Sequence, residues 1–240
     1  MSSGLYGIIA GETQISSVGG DQGLNYRGYN IYELAKYSTF EEVLFLLIFA
    51  RLPSSIELQN LIQKISNQRI IPNQIKNILE ILPISSNYMD ILRTIVSILG
   101  IIEPENERNN SIDISLRLIA LYGPCLLYWY NFQTFGIRIK TFTGETDSIA
   151  LNFLKLLKNA NPNELEVKAL DVSFILYAEH DFNASTFCSR VVASTNSDFY
   201  SSICAAIGAL RGNLHGGANE AAMEFLKDIN DIKSAENKVI

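Results

Sequence analysis

The sequence of 240 residues is 48% hydrophobic and 18% charged, enough apolar side chain to bury one large domain, or one domain and part of a second. Its net charge of −6 includes no run of like charges, which argues against a nucleic-acid partner and against a polybasic membrane-binding patch. Partners are expected among small molecules or other proteins.

The N-terminus, "MSSGLYGIIAGETQISS", lacks the basic start of a signal peptide and meets Glu12 early. The apolar run "VLFLLIFA" stops at Arg51, and "LIALYGPCLLYWY" is short and interrupted by Gly123-Pro124, so no transmembrane helix is expected. Cys125, Cys188 and Cys204 are odd in number and widely spaced, the pattern of buried free thiols. A soluble, cytoplasmic protein is the expectation.

The segment "TQISSVGGDQGLNYRGYNI", within residues 13–31, places two short β-like runs around Gly19, Gly20 and Gly23, and predicts a small hairpin. After Tyr32 the pattern is helical throughout. Four helix starts are marked by a small polar residue with an acid three positions on: Thr39 with Glu42, Ser54 with Glu57, Asn87 with Asp90, Asn163 with Glu166. Prolines 53, 72, 83, 104 and 162 fall between the apolar-periodic runs, as helix boundaries should. About ten helices with short connections follow, an all-α class with one small hairpin.

From Leu165 to His180 the series Leu165, Ala169, Val172, Leu176 and Val167, Leu170, Phe174, Tyr177 together cover most of a helix circumference, which predicts burial nearly all round. His180 stands at its end among Glu179, Asp181, Asn183, Ser185 and Thr186. Polar groups gathered there must find partners or face a wet cleft. If the turn continues, Asn183 shares a side with His180. A satisfied histidine at a helix end and a ligand for a keto or carboxylate oxygen are both open readings. From Asp198 to Leu210, "DFYSSICAAIGAL" is rich in small residues, which suits close helix packing or a subunit interface.

His215 lies between Gly212 and Gly216-Gly217, which free the backbone to turn and let a ligand approach. A helix is expected from Ala218, and an imidazole beside its positive end is biased toward the neutral form. A neutral imidazole can still donate a hydrogen bond to a carbonyl oxygen and stabilise the enolate formed when the neighbouring carbon is deprotonated. A capping or loop histidine is the competing reading. Two histidines 35 residues apart without a Cys or carboxylate cluster give no zinc site, the cysteines lack an activating neighbour, and "HGGAN" lacks dinucleotide spacing.

The strings "GETQISSVGG", "GLNYRGYNIYELAKYSTFEEVLFLL", "MDILRT", "ALDVSFILYAEHDFNASTF" and "IGALRGNLHGGANEAAMEFL" occur in one order over nearly the whole chain. Together they resemble the N-terminal portion of a citrate synthase of the bacterial and archaeal type, which includes 2-methylcitrate synthases. The resemblance implies a large helical domain over residues 1–212, the start of a small domain over 213–240, and a homodimer built on helices. It implies condensation of oxaloacetate with acetyl-CoA as co-substrate, with no tightly bound cofactor and no metal. His215 then resembles the donor to the thioester oxygen, His180 the ligand that polarises the oxaloacetate ketone, and Asn183 its neighbour.

The family pattern continues through a G-x-G-H motif, an aspartate base and arginines that clamp carboxylates, whereas residues 216–240 contain neither histidine nor arginine. The small domain is therefore expected to be largely missing, and low or no turnover is expected of these 240 residues alone. A truncated enzyme is the first expectation; a non-catalytic paralogue that dimerises with or regulates a full-length partner is the alternative. The choice between acetyl-CoA and propionyl-CoA is left open.

Overall fold

The computed structural model describes residues 10–19, 23–217 and 223, 224, 227 and 229. Among these residues are three short strands, β1 (Ser16–Ser17), β2 (Asn25–Tyr26) and β3 (Tyr29–Asn30), paired antiparallel in the order β1-β2-β3. The single predicted hairpin is thus a meander. Arg27 and Gly28, at φ 49° and 88°, form a two-residue turn whose positive φ values match the twist of the strands, and this turn adds β3.

Ten helices follow: α1 (Ile31–Tyr37), α2 (Phe40–Phe49), α3 (Ser55–Asn67), α4 (Asn73–Ile81), α5 (Tyr88–Ile102), α6 (Ser111–Phe135), α7 (Ile149–Lys158), α8 (Glu164–Tyr177), α9 (Ala184–Ser194) and α10 (Phe199–Leu210). The mainly helical class read from the sequence is what the chain adopts. Thr39, Ser54 and Asn163 each close a full capping box with the glutamate three residues on. The fourth expected pair does not close. Asn87 caps the Met89 amide at 2.9 Å, but the Asp90 carboxylate is held by Arg211, whose Nε donates to both oxygens at 3.0 Å, and by Arg93 at 2.8 Å. A charge-assisted pair outcompetes a neutral amide for the same oxygens.

Pro124 does not interrupt α6, contrary to the sequence reading; the helix runs through it for 25 residues. By length and composition α6 is long and apolar enough to cross a membrane, yet half of its apolar stretch is buried against α3, α4, α5, α7 and α10. Its inner face carries Ile114, Leu118, Leu121, Cys125 and Trp129 into a cluster with Leu79, Ile95 and Leu99. Burial of that face compensates for the hydrogen bond that proline removes from a helix interior. A second cluster joins the sheet to α1, α2 and α8 through Tyr26, Ile31, Leu34, Val43, Leu46 and Ile175. Of the three thiols, only Cys125 is fully buried; Cys188 and Cys204 are free but partly exposed.

Helix α8 also departs from expectation. Only Asp171 and Ile175 are buried, while Leu165, Leu176 and Tyr177 lie exposed. The helix packs on α1, α2 and α7 along one side, so the apolar residues of its other side remain uncovered in this chain.

Candidate active site

Helix α8 ends at Tyr177, and the chain crosses to α9 through residues 178–183. The helix does not continue past His180, because Asp181 takes a left-handed conformation, φ 55°. His180 is consequently exposed on the turn. Asn183 begins a new helix instead of sharing a face with His180. As the N-cap of α9, its Oδ1 accepts from the Thr186 amide at 3.0 Å and from Ser185 Oγ at 2.7 Å.

His215 sits in the turn that follows α10. Arg211 anchors the start of this turn through Asp90, and the His215 amide donates to Gly212 O at 2.9 Å. A Cβ at position 216 would collide with the Leu210 carbonyl oxygen, a backbone atom, so the turn requires glycine there. Nε2 of His215 lies 3.3 Å from the Ser185 amide and 3.0 Å from Ser185 Oγ. Ser185 Oγ gives its one proton to Asn183 and so offers Nε2 a lone pair, while the Ser185 amide offers it a proton; either tautomer of His215 is held by this residue. The imidazole does meet a helix N-terminus, but that of α9; the helix expected from Ala218 falls largely outside the described residues.

Ser185 therefore joins two of the three residues singled out from the sequence. It contacts Asn183 on one side and His215 on the other, and His180 precedes this pair by one short turn. The ring of His215 is half-buried among polar groups, not enclosed in hydrocarbon. A groove of about 730 Å³ runs past Gly216 and Gly217 and is walled by Tyr88, Tyr177 and Leu210. Among the described residues no three His, Cys, Asp or Glu side chains converge in a way that could hold a metal ion.

Two further side chains reach the site from the N-terminal sheet. Tyr26 Oη lies 3.2 Å from the Glu179 amide and 3.0 Å from Ile175 O; burial is the main cause that pushes this phenol above its ordinary value, so it stays a donor. Ser16 Oγ accepts from the Asp181 amide at 3.1 Å and donates to Glu179 Oε1 at 3.0 Å. Neither residue was readable as part of a site, since local spacing carries no signal for contacts roughly 150 residues apart in the chain. Ser185 was visible within the polar string after His180, without anything to assign it a partner.

Fold and site together define a helical protein with one imidazole and a carboxamide at the start of α9 and a second imidazole exposed on the turn that precedes it, groups suited to carbonyl and carboxylate oxygens. A family profile described as "Citrate synthase, C-terminal domain" matches residues 4–240, and the chain belongs to the citrate synthase family. Similar proteins include the 2-methylcitrate synthase of Shewanella oneidensis, 46% identical over 98% of this chain and 63% of that one. The citrate synthase 2 of Bacillus subtilis is 37% identical over 97% and 63%. The citrate synthase of Thermotoga maritima superposes with a TM-score of 0.86 at 34% identity, covering 100% of this chain and 63% of that structure. The citrate synthase of Thermoplasma acidophilum, solved as a ternary complex with carboxymethyl coenzyme A and oxaloacetate, superposes with a TM-score of 0.86 at 27% identity over 99% and 63%. The chain thus spans 63% of the length of these relatives.

Proposed function

We propose that these residues form the large-domain part of an enzyme that condenses oxaloacetate with the acyl group of acetyl-CoA or propionyl-CoA. Residues 1–212 are the large domain and 213–240 open the small one. In this reading His215 Nδ1 donates to the thioester oxygen while a carboxylate base removes a proton from the α-carbon. The resulting enol attacks the ketone carbon of oxaloacetate, a C–C bond forms, and the ketone oxygen takes a proton. Water then cleaves the thioester and releases CoA. His180 and Asn183 hold the oxaloacetate oxygens. α-Protons of a thioester are very weakly acidic, so the donor and the base must act together.

One observation carries the reading: Ser185 occupies Nε2 of His215, at 3.0 Å from its hydroxyl and 3.3 Å from its amide, which leaves Nδ1 as the ring nitrogen for a ligand. A solvated loop histidine has no need of such a tether. The protein acts as a cytoplasmic homodimer, with the small-residue helix α10 at the subunit contact. To test the proposal, the chain is fused to the C-terminal remainder of the Shewanella oneidensis relative, and CoA release is followed with oxaloacetate and either acyl-CoA. The fusion should turn over, the 240 residues alone should give little or none, and His215→Ala should lower the chemical rate of the fusion by about 100-fold. An unchanged rate in the His215→Ala fusion would overturn the assignment.

A further inference from the structure

The turn that displays His180 has little to hold it in place by itself. The amide of Ala178 still bonds back to Ile175 O, but Asp181 departs from the helical region and its Oδ1 is buried with no hydrogen-bond partner among the described residues. A left-handed aspartate with an unsatisfied carboxylate oxygen would relax if nothing opposed it.

What opposes it comes from a single rung of the N-terminal sheet. Ser16 of β1 stands directly opposite Tyr26 of β2 in the strand register, and directly opposed residues project from the same face. Their two hydroxyls reach the backbone on either side of the histidine. Tyr26 Oη takes the amide of Glu179, the residue before His180, and Ser16 Oγ takes the amide of Asp181, the residue after it. The Glu179 carboxylate accepts the Ser16 proton, so the serine oxygen has a free lone pair aimed at the Asp181 amide. Residues 179 and 181 are both tethered, and the peptide carrying His180 has little freedom to rotate between them. Tyr26 is wholly buried and Ser16 nearly so, which keeps water from competing for either bond.

We propose that Ser16 and Tyr26 are positioning residues for His180, acting through the Glu179 and Asp181 amides to aim the imidazole at its ligand; that the ligand is oxaloacetate rests on the reading given above. The chain contains only two histidines, which makes the test direct. In the 1H–13C spectrum of the imidazole Cε1 groups, Ser16→Ala and Tyr26→Phe are expected to shift or split the His180 signal while that of His215 stays in place. Ser16→Thr, which keeps the hydroxyl, is expected to restore it. In the active fusion, Ser16→Ala should raise KM for oxaloacetate about tenfold, as the loss of a hydrogen bond of ~1.4 kcal/mol implies, with KM for the acyl-CoA within about twofold of wild type.

Unmoved signals, or equal movement of both histidines, would overturn the proposal, since the first means no positioning and the second a general loosening. A Ser16→Thr variant that behaves like Ser16→Ala would also overturn it. Should oxaloacetate fail to shift His180 in the wild-type fusion, the functional reading fails, while the positioning of His180 is still decided by the spectra of the variants.

Discussion

Gly100, in the last turn of α5, faces the ring of Tyr200 at the start of α10, and a Cβ placed on it would lie 3.0 Å from Tyr200 Cβ and 3.2 Å from Cγ. Gly100→Ala sets two effects against each other. Helix propensity favours alanine by about 1 kcal/mol. Overpacking opposes it by about 1–3 kcal/mol, because a Cβ cannot rotate away and the two helices must separate. Separation also strains the bond from Tyr200 Oη to Glu103 O, 2.8 Å at the C-cap of α5, worth about 1 kcal/mol. A net destabilisation of about 1–3 kcal/mol is expected. Gly208 in α10 serves as the control, since a Cβ there meets nothing nearer than Arg93 Nη1 at 3.9 Å. The same substitution at Gly208 should leave stability unchanged or raise it by up to about 1 kcal/mol. Urea unfolding, followed by helical circular dichroism at protein concentrations where the midpoint no longer depends on concentration, measures both. A Gly100→Ala chain as stable as wild type would refute the close-packing argument.

Two buried carboxylates predict a pH dependence. Glu41 accepts from the Ile149 amide at 2.7 Å and Asp171 from the Phe40 amide at 3.1 Å, yet burial, the leading cause for each, raises both above their ordinary values of 4.5 and 3.8. The folded chain keeps protons that the unfolded chain has already lost, so their contribution is complete at low pH and declines as pH rises from about 4 through the raised values. Glu41→Gln should therefore gain stability relative to wild type as pH rises, and an advantage that shrinks toward pH 8 in urea titrations would contradict the sign. Gly216→Ala is expected to displace the 212–217 turn and break the contact between His215 and Ser185, read as a shift of the His215 Cε1 signal with His180 unmoved; an unchanged His215 signal would count against the required glycine.

The parts of the fold that were legible in the sequence are those settled within a few residues. Thr39, Ser54 and Asn163 cap as their spacing says, since donor and acceptor lie three residues apart and nothing distant competes. Asp90 failed as a capping acid because Arg211, 121 residues on, claims its carboxylate. Pro124 reads locally as a breaker, and only the packing of both halves of α6 into one core carries the helix through it. The apolar circumference of α8 reads as full burial, but periodicity counts apolar residues and says nothing of which neighbours cover them. At the site, the three candidate residues were visible by type and neighbourhood. Their geometry was not, since the turn at Asp181 and the choice of α9 as the helix that meets His215 depend on contacts between distant segments.

The rung formed by Ser16 and Tyr26 also sets the order in which the molecule can be built. The bond from Asp181 to Ser16 spans 165 residues, so the strands that hold the histidine turn emerge from a ribosome long before the segment they hold. At about 5–20 residues per second the delay is roughly ten to thirty seconds. During that interval the apolar side of Tyr26, with Ile31 and Leu34 behind it, has no α8 to rest on. The geometry of the His180 turn is in this sense a late product of biosynthesis, and the nascent strands with α1 are in need of shelter until residue 181 has been made.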